Sequence, residues 1–295
     1  MTYSGSGEDV GPIVAGGGAY TEGGGEEVAM SLSFRASGGG SSPTLSPQSQ
    51  PSPPPVLVPG PTGDQGSILD GLVDHVILFI PDGLRGDFLD NGWDTPNFDR
   101  LQSQGVCTTE ARPDFDSTQT LPNHISMCIG EPVSDHGFEN DGDPDPCGTT
   151  VIEDIIGNGY DNIFDLVKDR GGSTAFYGNK DKFDIFRRSW NIDRWVNDKY
   201  DDERDRCDTG VRYKSGGDFI DDFITRMKSN RYTFSIFHHR DPDKAGHANG
   251  GAGHNDYDTA VEASDGYLGQ IFNMIDNDSS LRGRTAVIFT TDHGR

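Results

Sequence analysis

The stretch VDHVILFIPDG, residues 73–83, decides the fold class of this chain. Its apolar run is short, continuous and rich in branched side chains, and Pro81 and Gly83 close it. Runs of this kind are typical of strands that are buried on both faces, as in parallel sheets. We therefore predict a buried strand from His75 to Ile80.

Further along the chain, similar apolar runs alternate with segments of helical spacing. The predicted strands cover residues 75–80, 173–177, 232–237 and 285–290. The predicted helices cover residues 96–104, 158–170 and 219–229, the first with Thr95 as N-cap, Pro96 at its first position and Gly105 at its end. This alternation predicts an α/β fold over residues 70–295, a doubly wound, mostly parallel sheet with helices on both faces.

Residues 1–69 have a different composition, dominated by Gly, Ser, Pro and Thr. The closely spaced prolines of SSPTLSPQSQPSPPPVLVPGPTG, residues 41–63, favour extended polyproline segments. We predict a disordered tether in front of the folded core. The β-like stretch EEVAMSLSFRA, residues 26–36, leaves open a second interpretation, the tail of a preceding domain.

The chain is strongly acidic, with 24 Lys and Arg against 48 Asp and Glu and a formal net charge of -24. Such a surface repels nucleic-acid backbones and anionic lipids, so we expect no binding of nucleic-acid duplexes. Adaptation to salty surroundings or simple solvation also explains the charge, because the acidic residues are spread along the folded part. No apolar run is long enough for a membrane span.

The four cysteines, Cys107, Cys128, Cys147 and Cys207, lack the CxxC spacing of a structural zinc site. An even number behind a leader rich in Pro, Ser and Gly favours an extracellular or secretory-pathway protein with disulfides. Four reduced thiols in a cytosolic enzyme stay open as the alternative. The amino terminus shows no signal peptide, so we expect the targeting segment of an exported protein to be missing from this chain.

Polar residues follow three of the predicted strands, where open parallel sheets place their ligand crevice. Asp82 follows the first strand, Asp243 and His247 follow the third, and Asp292 and His293 follow the last. Alone, Asp82 fits a turn residue and the Asp243 and His247 pair fits a solvated loop. Together, three carboxylates and two imidazoles are ligands that zinc accepts, so we predict a metal site.

The segment DSTQTLPNHISMCIG, residues 116–130, places Thr120 before Leu-Pro and a predicted helix that begins near Asn123. A hydroxyl at a helix start lies beside free backbone N–H groups and the positive end of the helix dipole, which favours an alkoxide and an incoming phosphoryl oxygen. Thr120 is therefore a candidate nucleophile beside a metal. An N-cap without a catalytic role is the structural alternative.

Four motifs occur in order: IPDGLR at 80–85, TLPNH at 120–124, DKAGH at 243–247 and TDHG at 291–294. From about residue 74 to the end, the chain resembles the nucleotide pyrophosphatase/phosphodiesterase branch of the alkaline phosphatase superfamily. The resemblance implies an alkaline phosphatase-like core and a two-zinc hydrolase with a phosphothreonine intermediate. Its substrates would be small molecules, namely phosphodiesters, nucleotide pyrophosphates or phosphate monoesters.

The resemblance also implies roles for individual residues. One zinc site would take Asp82, Asp292, His293 and the nucleophile Thr120, and the second zinc site would take Asp243 and His247. An Asn that hydrogen bonds to a phosphoryl oxygen is assigned to Asn140, although Asp141 stands at the expected position. Lys180 and Lys182 of AFYGNKDKFDIF resemble a Lys-x-Lys/Arg element that grips phosphate, and simple solvation of both lysines is the alternative.

In the family, a histidine well downstream of His247 completes the second zinc site. This chain ends two residues after His293, so we expect a truncated core, an incomplete second site and poor catalysis. Recruitment of His238, His239 or His254 as the missing ligand is the alternative.

Two other functions remain open. A catalytically impaired fragment or a binding module could use the remaining metal site to hold a phosphorylated ligand. A sulfatase or metal-dependent mutase would share the fold, but TLPNH lacks the C/S-x-P-x-R context expected around a sulfatase nucleophile.

Overall fold

A computed structural model of the chain describes residues 13–17, 73–86, 92–108, 111–114, 117–146, 148–157, 159–197, 216–249 and 253–294. The strands are β1 (Ile13–Gly17), β2 (His75–Pro81), β3 (Val106–Thr108), β4 (Thr174–Gly178), β5 (Arg194–Asn197), β6 (Phe234–His239) and β7 (Thr285–Thr290). The helices are α1 (Pro96–Gln104), α2 (Thr120–Ile129), α3 (Val133–His136), α4 (Glu153–Ile156), α5 (Ile163–Asp169), α6 (Asp184–Ser189), α7 (Gly216–Asn230), α8 (Asp241–Asn249) and α9 (Asn255–Asn277).

These seven strands form one sheet in the order β3-β1-β7-β2-β6-β4-β5. Every neighbouring pair is parallel, including β2 with β7 and β2 with β6 at the centre. Since strand order and chain order differ, the chain crosses over between strands, as a doubly wound sheet requires. The predicted fold class is therefore confirmed.

Both faces of the sheet are covered by helices. On one face, Ile77 and Phe79 of β2 belong to a buried cluster that also contains residues of α1, α7 and α9. On the other face, Ile80 packs in a second cluster with residues of α2, α5 and α6. Alternate side chains of a strand point to opposite faces, so a continuous apolar run is what a doubly covered strand needs.

Two features differ from the sequence-based predictions. β1 lies inside the segment assigned to a tether, while the rest of residues 1–69, including the β-like stretch at 26–36, lies outside the described residues. Helix α2 begins at Thr120 rather than near Asn123, with Gln119 as its N-cap. Pro122 is tolerated there because the N–H groups of a first helical turn have no intrahelical partner.

None of the described helices combines the length and the apolar character needed to cross a bilayer. Cys107 is exposed and Cys128 is buried, and both thiols are free. Cys147 and Cys207 lie outside the described residues, so the number of disulfides stays a prediction.

Candidate functional site

The candidate site lies at the carboxyl ends of the three central strands, β7, β2 and β6. Asp82 directly follows β2, Asp292 and His293 follow β7, and Asp243 lies in the first turn of α8 after β6. Parallel strands end at the same edge of a sheet, so these side chains come together although they are far apart in sequence. All four are buried.

Asp82, Asp292 and His293 form the first group. Each offers one ligand atom, and these three atoms lie within 4.8 Å of one another. The Nε2 atom of His293 is 3.3 Å from Oδ1 of Asp82 and 3.8 Å from Oδ2 of Asp292. Nδ1 of His293 donates a hydrogen bond to the Gly294 carbonyl at 3.0 Å, which orients Nε2 toward the two carboxylates.

This group has the properties of a metal site. Oδ1 of Asp82 and Oδ2 of Asp292 are fully buried and have no hydrogen-bond partner within the part of the chain that the structure describes. A buried, unpaired carboxylate oxygen costs free energy, so such atoms indicate a missing partner. Two carboxylates and an oriented imidazole fit the ligand preferences of zinc.

Thr120 adjoins this group as the first residue of α2. Its Oγ1 atom lies 3.3 Å from Nε2 of His293 and accepts a hydrogen bond from Nζ of Lys180 at 2.9 Å. The hydroxyl therefore lies between a candidate metal ligand and an ammonium group, at the positive end of a helix dipole.

Lys180 links the first group to Asp243. Its ammonium contacts Oδ2 of Asp82 and lies 2.8 Å from Oδ2 of Asp243. Burial opposes the charged form, but the carboxylates of Asp82 and Asp243 raise the pKa of Lys180 above its ordinary value. This lysine therefore carries a permanent positive charge between the carboxylates of the two proposed zinc sites.

The second pair is less enclosed. Nε2 of His247 is 3.5 Å from Oδ1 of Asp243, one helical turn earlier on α8. The Asp243 side chain is 5% exposed, whereas that of His247 is 69% exposed. The pair therefore extends from the buried carboxylates, through Asp243, to the molecular surface at His247.

Lys182 and Asn140 do not contact this group within the described residues. Nζ of Lys182 forms an ion pair with Oδ2 of Asp141 at 2.7 Å. The Asn140 side chain is exposed and its oxygen accepts a hydrogen bond from the backbone N–H of Gly142 at 3.1 Å. It is Asp141, not Asn140, that contacts α2, because its Oδ1 accepts from the Leu121 N–H at 3.0 Å.

Two buried histidines, His124 and His238, lie next to the first group, where they were not predicted. Nε2 of His238 donates to Oδ2 of Asp82 at 3.1 Å, and Nδ1 of His124 donates to the Thr120 carbonyl at 2.7 Å. With Asp292, they form a second set of possible ligand atoms within 4.8 Å of one another. The signal for His124 was its place in TLPNH, one helical turn after Thr120.

The three histidines considered as substitute ligands of the second site make other contacts. His238 contacts Asp82 of the first group, and burial lowers its pKa to about 4, so its imidazole is neutral. The buried His239 ring packs against Tyr267 at 4.7 Å. His254 caps α9 by accepting from the Asp256 N–H. Recruitment of these residues by Asp243 and His247 therefore has no support in the contacts described.

The charged groups of the first group shift one another's pKa values. Burial and, after it, the negative charge of Asp82 together raise the pKa of Asp292 to about 7. Burial opposes protonation of His293, but the carboxylates of Asp292 and Asp82 raise its pKa to about 9. Burial would also raise the pKa of Asp82, yet the charge of Lys180 and the His238 hydrogen bond hold it well below its usual range.

These pKa values predict the pH dependence of zinc binding. Below pH 9, His293 in the metal-free protein keeps a proton that zinc must displace, and below pH 7 Asp292 adds a second. Apparent zinc affinity should therefore fall as the pH falls, by roughly tenfold per pH unit between pH 9 and 7 and more steeply below. Competition titrations with a chelator at several pH values measure this slope. An affinity that stays constant over the range would contradict the assignment of His293 as a ligand.

Residues 76–295 match the protein family described as type I phosphodiesterase / nucleotide pyrophosphatase. Among solved structures, murine ectonucleotide pyrophosphatase / phosphodiesterase 5, an inactive form in complex with AMP, is similar at a TM-score of 0.58 and 18% identity. The human ectonucleotide pyrophosphatase / phosphodiesterase 5 is similar at a TM-score of 0.56 and 20% identity. Each likeness covers 75% of this chain and 57% of the other chain.

At these identities the two likenesses show the fold. The chain spans little more than half the length of either structure, 57% in both cases. A comparison with curated protein sequences gave no match.

Proposed function

The chain belongs to the type I phosphodiesterase / nucleotide pyrophosphatase family, and from this premise we propose that it hydrolyses phosphoric esters with Thr120 as the nucleophile. Its substrates would be small phosphodiesters, nucleotide pyrophosphates or phosphate monoesters. One structurally similar protein was solved in complex with AMP, a small nucleotide. That complex supports the choice of nucleotide esters as the first substrates to test.

The observation that carries the proposal is the position of the Thr120 hydroxyl. Oγ1 lies 3.3 Å from Nε2 of His293 and 2.9 Å from Nζ of Lys180, near buried carboxylate oxygens that have no hydrogen-bond partner among the described residues. A purely structural N-cap would need neither the ammonium nor the unpaired carboxylates. This arrangement favours a nucleophile over a helix cap.

We propose that the site takes two zinc ions. Asp82, Asp292 and His293 would hold one, next to Thr120, and Asp243 and His247 would contribute to the other. Zinc bound there supplies Lewis-acid stabilisation of the charge on the phosphoryl oxygens and on the attacking hydroxyl. The remaining chemistry comes from residues of the chain.

Thr120 would attack phosphorus in line with the leaving oxygen and become phosphorylated, and water would then hydrolyse the phosphothreonine. The Lys180 ammonium donates to Oγ1 and would stabilise the negative charge on that atom as its proton leaves. The N-terminus of α2 adds backbone N–H groups and a helix dipole, both favourable for a phosphoryl group bound to Thr120. The rate enhancement would thus come from positioning and electrostatic stabilisation.

Turnover of bis-p-nitrophenyl phosphate and p-nitrophenyl phosphate tests the proposal. We expect hydrolysis of at least one ester with added zinc, and loss of activity after chelation that zinc restores. The absence of turnover with both esters under zinc saturation would contradict the enzyme proposal.

A phospho-ligand binding module is the second candidate, and the second metal pair favours it. Within the described residues, Asp243 and His247 are two ligands where zinc usually takes three from the protein. Zinc-dependent binding of AMP without turnover of either ester would select this candidate.

A further inference from the structure

Asp141 binds to the N-terminus of α2 at a point that the proposed reaction needs. Its Oδ1 accepts a hydrogen bond from the Leu121 N–H at 3.0 Å, and its Oδ2 pairs with Nζ of Lys182 at 2.7 Å. Leu121 directly follows Thr120 in the chain. The carboxylate thus receives one backbone N–H and one ammonium immediately beside the candidate nucleophile.

A phosphoryl group bound to Thr120 would need the same two donors. Helix N-termini bind anions through their free N–H groups, and a phosphoryl oxygen and a carboxylate oxygen are equivalent acceptors in this respect. The Leu121 N–H cannot donate fully to both. Asp141 and a phosphorylated ligand are therefore competitors for one donor pair.

A separate observation indicates that a ligand belongs at this place. Around Nε2 of His293, which lies 3.3 Å from the Thr120 hydroxyl, Oδ1 of Asp82 and Oδ2 of Asp292 are buried without a hydrogen-bond partner in the described structure. The site thus has unpaired acceptors on the metal side and donors occupied by an internal anion on the helix side. A cation and a phosphorylated ligand together would satisfy both sides.

We propose that the Asp141 carboxylate holds the place of a phosphoryl oxygen at the N-terminus of α2 and leaves when a phosphorylated ligand binds. This inference rests on the proposed function and assigns Asp141 as a specificity residue of that site. Its side chain is already 35% exposed, so it can turn toward solvent without crossing the core. Lys182 and the Leu121 N–H would then donate to the phosphoryl oxygens instead of to Asp141.

The proposal has a consequence for substrate choice. A displaced carboxylate still lies close to the phosphoryl group and repels it, and the repulsion is larger for a dianion than for a monoanion. Asp141 should therefore disfavour phosphate monoesters, which are dianions above neutral pH, relative to singly charged diesters.

Asp141→Asn tests the proposal, since it removes the charge and keeps the shape. Glu139→Gln is the matched control, because Glu139 is exposed, lies in the same loop and undergoes the same change of charge. The affinity for inorganic phosphate is measured by calorimetry with zinc present, alongside kcat/KM for p-nitrophenyl phosphate and its bis ester. We expect Asp141→Asn to bind phosphate roughly tenfold more tightly than the wild type does. Its kcat/KM should rise more for the monoester than for the diester. Glu139→Gln should match the wild type in both measurements.

Equal phosphate affinity in the wild type and Asp141→Asn, or an equal gain in Glu139→Gln, would overturn the inference. The melting temperature of each variant is measured first, and Asp141→Ser takes the place of a variant that does not fold. If neither ester is hydrolysed but Asp141→Asn binds phosphate more tightly, the inference holds and the enzyme proposal fails. If the wild type is active and the phosphate affinities do not differ, the inference alone fails.

Discussion

Thr120→Ala is expected to abolish ester hydrolysis, with a loss in kcat of roughly 10³-fold or more, because the attacking oxygen is gone. Zinc content should stay close to that of the wild type, since Asp82, Asp292 and His293 are unchanged. Alanine is a strong helix former, so α2 should keep its first turn. Thr120→Ser keeps a hydroxyl and should retain a measurable part of the rate.

The matched control is Thr118→Ala, an exposed threonine two residues upstream, which should have wild-type activity. Initial rates with bis-p-nitrophenyl phosphate and metal analysis of the purified variants provide the two readouts. The nucleophile assignment would be wrong if Thr120→Ala kept more than a tenth of the wild-type rate.

Asp82→Asn is expected to have the largest effect on metal binding, lowering zinc affinity by about 100-fold or more. Asp82 is fully buried and contacts His238, His293 and Lys180, so its charge also balances the metal-free site. Removing one partner from a buried ion pair costs roughly 3–5 kcal/mol in the free energy of unfolding. Asp82→Asn should therefore lose both zinc affinity and stability.

Asp222→Asn separates these two effects. Oδ2 of Asp222 accepts from the Tyr177 hydroxyl at 2.7 Å and from Arg194 at 3.0 Å, and these residues lie on β4 and β5. This variant should lose stability and keep its zinc affinity. Chemical denaturation without metal and zinc titration of the folded variants measure both quantities. A zinc affinity for Asp82→Asn within threefold of the wild type would remove Asp82 from the metal site.

The central strands could be predicted closely from the sequence. The predicted strand at 285–290 coincides with β7, and the one at 75–80 lacks only Pro81 of β2. A doubly covered strand must be apolar on both faces, and few other structures produce such a run. The family resemblance drawn from four motifs is confirmed by the match over residues 76–295.

The capping of α1 could not be predicted from nearby residues. Thr95 stands at the N-cap position, as predicted, but its side chain makes no capping hydrogen bond. Instead, Oδ1 of Asp265 on α9 accepts from the N–H groups of Asn97 at 2.9 Å and of Phe98 at 2.7 Å. A cap supplied from a residue so distant in sequence leaves no local signal.

The site likewise contains residues that could be predicted from the sequence and residues that could not. Asp82 and Asp292 were identifiable because each lies just beyond the end of an apolar strand, and strand ends converge in a parallel sheet. His124 and His238 were not assigned to this group, since their burial beside it depends on how α2 and β6 pack. The choice between Asn140 and Asp141 depends on the path of a loop, which sequence spacing does not determine.

Zinc-edge anomalous diffraction from crystals of the protein grown with zinc tests the central claim most directly, because it locates the metal independently of activity. The expected result is a strong peak at about 2.0–2.2 Å from a carboxylate oxygen of Asp82, a carboxylate oxygen of Asp292 and Nε2 of His293. The Thr120 hydroxyl should be adjacent to that peak. Zinc peaks found only elsewhere on the protein, with this group empty, would contradict the assignment of the site.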